Sequence, residues 1–366
     1  MYKPIRIITL AAVLFFTQTL HAQTAKEQAV AKAREAIRIE DGEGKYDEAI
    51  KLLAEAAALD PDNIDYPYEI AYAYAAKKDY KTSTGLLEKL LDHKDVNGRV
   101  YQSLGNNYDY MGQPDKAIET YERGVKKFPN AGELYLELGN MRLVKKEYDK
   151  ALGYYERGIE NDPKFPSNYY WAARIYCNSE EEVWGMLYGE IFMNLERNSK
   201  RTSEISRLLF DTYKSEITIK PDSTSYGVSF SKNATMSVGM DELKDPKKFK
   251  LPFGMGCYEI LMAIGLAGER RIDLDALDRI RTRFLDAYFQ GTYAKTYPNA
   301  LFDYQNRIKA AGQLEAYNHW LLSQGDKDAF IKWQSGNESK WKAFLQWYGD
   351  NALVLDATHN FHRTQY

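Results

Sequence analysis

The sequence predicts an all-α fold: a superhelix of stacked helical hairpins, followed by a second, mostly helical C-terminal domain that carries a small irregular or β insertion. Three observations lead there. Helical spacing of apolar residues recurs with a period of 34 residues in the first half, and repeats of that length are units that bury their faces only against their neighbours. Helical spacing without that period returns beyond Leu251. Finally, 29 tyrosines among 366 residues demand many large, half-polar packing positions. A chain with 44% hydrophobic and 28% charged residues can pack a core throughout. The net charge of −3 provides no polyanion-binding field, so nucleic acid is not an expected partner.

Residues 1–22 open with Lys3 and Arg6, continue through an apolar run from Ile7 to Phe16, and close in small and polar residues up to Ala22. This is the layout of a signal peptide, and its apolar run falls short of the roughly 20 residues a membrane span requires. No second long apolar stretch follows, so no integral membrane segment is expected after signal cleavage. The expectation is an exported protein, periplasmic or secreted.

The repeat is the strongest signal. Tyr101, Leu104, Gly105, Ala117, Tyr121, Gly124 and Pro129 recur 34 residues later as Tyr135, Leu138, Gly139, Ala151, Tyr155, Gly158 and Pro163. Tyr101, Leu104, Gly105 and Tyr108 share one helical face; Gly112-Gln113-Pro114 breaks the chain; Ala117, Tyr121 and Gly124 form a second stripe, which Pro129 ends. Weaker copies precede these units, and a fifth first helix follows at Tyr169, Ala172, Ala173 and Tyr176. The pattern resembles the tetratricopeptide repeat, with its Leu-Gly, tyrosine, alanine and proline positions. The expected domains are the signal peptide at 1–22, a repeat solenoid at 23–180 of about four units plus a degenerate fifth, capping helices at 181–214, the irregular or short-strand insertion at 215–250, and the helical domain at 251–366.

The resemblance implies a protein or peptide partner held along the concave face of the first helices. One step round from the core stripe, the ladder reads Tyr72, Asn106, Asn140 and Arg174, with Tyr68, Gln102, Leu136 and Tyr170 one turn earlier. An Asn amide suits a peptide backbone, since it offers an acceptor and two donors, and Arg174 suits a carboxylate. The alternative is that these residues belong to the repeat itself and are solvated. The ladder lacks the lysines with which one form of the family grips a C-terminal carboxylate.

In the other half, Ile217-Thr218-Ile219 and Tyr226 to Phe230 alternate as short strands do, with Asp222-Ser223-Thr224 as turn chemistry between them. Beyond Leu251, Leu277, Ile280, Phe284 and Tyr288 form a helical stripe after the N-cap candidate Asp273, and Trp341, Phe344, Leu345 and Tyr348 form another. Trp333 and Trp347 are candidates for an aromatic platform that stacks on a sugar, the rival reading being core packing. Cys177 and Cys257 either form a disulfide or remain buried thiols. No nucleophile elbow, phosphate loop, C-x-x-C or H-E-x-x-H occurs, so no catalytic residue, cofactor or metal site is expected. His359 and His362 form a lone H-x-x-H pair, and Asn233-Ala234-Thr235 is a glycosylation sequon by pattern. A hydrolase site would need His319 or His359 to meet several carboxylates.

Overall fold

The computed structural model describes residues 5–220, 225–232, 251–356 and 358–366, with side chains from residue 24 onward. The expected turn at Asp222-Ser223-Thr224 and the Asn233 sequon lie outside the described residues, as do the first four residues of the leader. The described chain is all-α apart from one short hairpin. Its contacts divide into two units, Met1–Pro129 and Asn130–Tyr366.

The first unit holds α1 (Ile5–Glu43), α2 (Tyr46–Leu59), α3 (Asp65–Ala76), α4 (Tyr80–Leu90), α5 (Gly98–Tyr110) and α6 (Pro114–Lys127). The segment expected to be a leader and the first repeat helix are therefore one continuous helix. Among the described residues no helix is long and apolar enough to cross a membrane. Local chemistry sets the boundaries. The Asp79 side chain accepts from the Thr82 N–H at the start of α4, Asn97 accepts from the Arg99 N–H at the start of α5, and Pro114 opens α6 where no intrahelical donor is needed.

The second unit begins with α7 (Gly132–Val144), α8 (Tyr148–Asn161) and α9 (Pro166–Tyr176). Both units use one turn. Gly44, Lys78, Gly112 and Lys146 stand 34 residues apart and all adopt a left-handed φ, between 59° and 72°. Each reverses the chain in a single residue, and the two lysines accept a conformation that glycine takes without strain.

Within a hairpin, glycine and tyrosine interlock. A Cβ on Gly105 would lie 2.2 Å from Tyr121 Cε1, and one on Gly139 would lie 2.3 Å from Tyr155 Cε1. Where the unit before has Ala71 in place of the glycine, it has Leu87 in place of the tyrosine, and both sit in one buried cluster. Volume is conserved across the pair although neither residue is.

The sequence reading of 181–214 as capping helices needs correction. Residues Glu182–Leu195 form α10, and thirteen of its fourteen residues are buried, whereas a cap presents a polar outer face. Gly185 lets α10 press on the end of α9, since a Cβ there would lie 2.5 Å from the Cys177 backbone nitrogen. Helix α11 (Lys200–Glu216), opened by Ser199 and Thr202 in a reciprocal cap, stands to α9 as the next first helix would. Arg201 donates to Ser167 Oγ at 3.0 Å and the Tyr170 hydroxyl donates to Glu204 at 2.6 Å, and both pairs are 34 residues apart.

The insertion forms β1 (Ile217–Ile219) antiparallel to β2 (Tyr226–Val228), with Ile217 opposite Val228. After a π-helical turn at Gly254–Glu259 come α12 (Ile260–Gly265), α13 (Leu274–Gln290), α14 (Tyr293–Thr296), α15 (Ala300–Ala310), α16 (Leu314–Leu322), α17 (Lys327–Gly336) and α18 (Glu338–Asp350). Asp273 caps α13 as expected, accepting from the Ala276 N–H. The α15–α16 turn repeats that of the tetratricopeptide-like hairpins: Gly312 has φ 72°, and the Gln313 N–H donates to the Ile308 carbonyl as the Gln113 N–H does to Tyr108. The sequence reading found no periodic signature there because the shared feature is one turn, not a run of side chains.

These helices assemble around Glu190 of α10. Its Oε1 accepts from Arg281 Nη2 at 2.7 Å, from Tyr317 Oη at 2.8 Å and from Gln305 Nε2 at 2.5 Å, all buried. The tail returns similarly: Arg363 grips the buried Glu156 of α8 with Nε and Nη2, both at 2.9 Å, beside the hydroxyls of Tyr176 and Tyr188.

Two outcomes follow for urea unfolding. Gly139→Ala is expected to cost about 1 to 3 kcal/mol by overpacking, and combining it with Tyr155→Leu, the pairing found at Ala71 and Leu87, should cost clearly less than the sum of the single changes; strict additivity would mean that ring and glycine do not meet. Arg281→Met, which strands a buried carboxylate, is expected to cost about 3 to 5 kcal/mol, and adding Glu190→Gln should recover part of that; no recovery would remove Glu190 as the group at issue.

Candidate interaction surface

The ladder residues fall in both units and are described unit by unit. In the first, Tyr72 is the most open, with 51% of its surface exposed. Tyr68 is half-buried, its hydroxyl 2.9 Å from Ser103 Oγ and its ring 4.8 Å beneath the Arg99 guanidinium. Arg99 in turn binds Asp65 at 2.8 Å. Gln102 and Asn106 are half-buried. Asn106 Oδ1 accepts the Tyr121 hydroxyl at 2.6 Å, while its amide N–H2 has no acceptor among the described residues.

In the second unit, Asn140 repeats this role. Its Oδ1 accepts the Tyr155 hydroxyl at 2.9 Å, and its Nδ2 donates to Glu137 at 3.1 Å. The Leu-Gly-Asn run thus has a reason inside the hairpin: glycine admits the tyrosine ring and asparagine receives its hydroxyl. Leu136 is half-buried. Arg174 is exposed, its guanidinium 4.7 Å over the Trp171 ring, and Nη1 donates to the Tyr170 hydroxyl at 3.1 Å.

Tyr170 itself corrects the sequence reading. It is 4% exposed, with its hydroxyl on Glu204 and its ring 5.0 Å from the Arg201 guanidinium, because α11 covers the place where a groove wall was expected. Trp171, half-buried beside Arg174, is a residue that the sequence reading does not single out.

The Tyr72 end is electronegative. Glu40 is buried, its Oε1 has no partner among the described residues, and its carboxyl is pushed up to about 7, first by burial and then by repulsion from Glu69 and Asp41. Burial raises the Glu69 carboxyl in the same direction. Tyr72 is raised too, by burial first and then by Glu40 and Asp41.

The other candidates have structural occupations. Cys177 and Cys257 are not bridged to each other, so the disulfide is not formed. Cys177 ends α9 under Gly185, its thiol pushed up to about 12 by burial, and Cys257 is buried within the π-helical turn. Trp333 is half-buried, with one face stacked 4.3 Å from the His319 ring and Nε1 donating to Glu315 at 3.0 Å; Trp347, also half-buried, leans on Tyr304. Trp333 thus gives one ring face to His319 and lines a cleft with Asp275 and Asp326. His319 is buried, with ring nitrogens 2.8 Å from the Glu315 carbonyl and 3.1 Å from Asp275. The His359 N–H donates to Asp356, and His362 Nδ1 lies 2.7 Å from Thr364 Oγ1. Among the described residues no group of three His, Cys, Asp or Glu could hold a metal ion.

For Glu40 the folded state keeps its proton up to about pH 7, whereas the ordinary value is 4.5. Between these values the folded state binds more protons, so this group's contribution to stability falls as pH rises through the window. Glu40→Gln should therefore stabilise the chain at pH 8 by on the order of 1 to 2 kcal/mol and have little effect near pH 4.5; thermal melts at both pH values check this, and an equal effect at both would deny the shift.

Comparison with known proteins gives a family description for this part of the chain. Two tetratricopeptide-repeat family models match, at residues 42–106 and 103–166, so this region is built of tetratricopeptide repeats. Solved structures similar to the chain include MamA (20% identity, covering 43% of this chain and 92% of that one, TM-score 0.34), MamA residues 41 to the end from Desulfovibrio magneticus RS-1 (18%, 47% and 97%, 0.34), and YrrB, described as a TPR protein with an unusual peptide-binding site (22%, 51% and 94%, 0.31). PilW, a type IV pilus biogenesis factor, is similar at 16% identity over 51% of this chain and 84% of that one, with a TM-score of 0.39. No curated protein matches the sequence.

Proposed function

We propose that this is an exported, non-enzymatic scaffold that binds a protein or peptide along the polar ladder of its first helices. The observation behind the reading is the spare hydrogen-bonding capacity of the ladder. The tyrosines consume the acceptor oxygens of Asn106 and Asn140, but the Asn106 N–H2 is left without an acceptor among the described residues, and Arg174 is exposed without an ion pair among them. Such groups suit the carbonyls and carboxylates of an extended chain. Export rests on the leader at 1–22, and the absence of a catalytic role rests on the lack of any catalytic motif in the sequence.

The test uses substitutions that keep the acceptors for the tyrosine hydroxyls, with circular dichroism to verify that Asn140→Asp, which faces Glu137, leaves the fold intact. Asn106→Asp and Asn140→Asp keep the acceptor for the tyrosine hydroxyl but remove the amide donors, and Arg174→Ala removes the cation. With a partner captured from the envelope fraction by the full chain, the triple variant is expected to bind at least about tenfold more weakly, a loss of about 1.4 kcal/mol. Unchanged affinity would refute the ladder. The N-terminal mass of the cell-purified protein tests export, the expected form beginning near Gln23.

A further inference from the structure

An unassigned cleft opens in the second unit between α7, α8 and α9. Its volume is about 440 Å³, and Leu143, Leu152, Trp171 and Ile175 form its apolar lining. The apolar surface continues past the rim. Tyr148, on the wall, is 51% exposed, and Val144, next to Leu143, is 85% exposed, more than any other large hydrophobic among the described residues. A cleft with an apolar apron of this kind marks an interaction site more often than a solvated surface.

Charge narrows the partner. Arg142 and Lys150 are taken up by Glu147, at 3.3 and 2.9 Å. That leaves Lys145 and Lys146, in the turn next to Val144, and Arg174, on the cleft wall, with no ion pair among the described residues. The lining itself pairs one cation, Arg174, with one acid, Asp149, and Lys145 and Lys146 add positive charge at the rim, where Glu147 is already held by Arg142 and Lys150. Arg174 already lies over Trp171 and donates to the Tyr170 hydroxyl, so its guanidinium is oriented before any partner arrives.

We infer that this cleft receives a large apolar side chain from an acidic peptide segment of a partner protein, with carboxylates on either side of the anchor meeting Arg174 and the Lys145–Lys146 turn. The inference rests on the reading of the repeats as a peptide-binding scaffold, but it places the anchor at a hairpin junction and not on the asparagine ladder. A pocket of this size takes one or two side chains, and the exposed Val144 and Tyr148 offer the flanking residues a surface that a free small molecule would leave uncovered.

The experiment titrates fluorescein-labelled Asp-Glu-Leu-Phe-Asp-Glu into the full chain, with Lys-Lys-Leu-Phe-Lys-Lys and Asp-Glu-Ser-Ser-Asp-Glu as comparators. The acidic apolar peptide should bind at least about tenfold more tightly than either comparator, and its affinity should fall as salt rises from about 50 to about 300 mM. Val144→Asp and Arg174→Glu change exposed side chains, so the fold is retained, which circular dichroism verifies; each should weaken binding at least about tenfold. Equal binding of all three peptides, binding of none, or indifference to Val144→Asp would overturn the proposal. A wild-type dimer in sedimentation that Val144→Asp dissolves would assign the cleft to a second copy instead. The two readings separate cleanly: loss with Asn106→Asp and Asn140→Asp but not with Val144→Asp keeps the ladder and rejects the cleft, and the reverse result keeps the cleft and rejects the ladder.

Discussion

A carboxylate in the middle of a fully buried helix organises the C-terminal unit. Glu190 sits on α10, which has no solvent face, and removing a charge from water costs several kcal/mol unless it is paired and hydrogen-bonded. Arg281, Gln305 and Tyr317 meet that need from α13, α15 and α16. The demand then spreads outward. Arg281 also donates to Tyr213 of α11 and to Asn318, and Asn194 joins Tyr317 to Tyr348 of α18. Six helices of this unit, α10, α11, α13, α15, α16 and α18, meet in one connected network, so one of them that moves leaves a buried polar group without its partner.

The repeats meet a different constraint in a simpler way. Two antiparallel helices approach closely only where one of them gives up volume, and the glycine that does so makes room for a tyrosine ring whose hydroxyl then needs an acceptor. Asn106 and Asn140 provide it from the next position. Ala71 with Leu87 shows the alternative, in which an aliphatic side chain fills the space and no hydroxyl has to be satisfied. Tyr121 and Tyr155 suit this solution, for a tyrosine can bury its ring at the hairpin interface and keep its oxygen at the edge.

The same accounting governs what is left for a partner. A polar side chain that serves the fold has less to offer: Asn106 keeps its amide donors while its oxygen serves Tyr121, Asn140 spends a donor on Glu137 as well, and Tyr170 presents nothing once α11 covers it. Conversely, Val144 and Arg174 stand out because the fold makes little use of them: one is apolar and open to water, the other charged and without an ion pair among the described residues. The tail shows how readily this surface chemistry is used internally, since Arg363 closes on Glu156 much as a foreign arginine would.

By itself the sequence determined whatever is local. Helical stripes, the 34-residue period, the capping residue Asp273, the two short strands and the chain reversal at Gly112 all arise from interactions within a few residues, and a single sequence records them. Tertiary structure decided the rest. Whether 181–214 caps the repeats or is buried within a core, whether Tyr170 faces solvent, whether Cys177 and Cys257 meet, and whether Trp333 is open depend on which helices arrive from more than a hundred residues away or from the next hairpin. Periodicity names the face a helix buries, but α10 buries every face, and only the neighbours that surround it determine that.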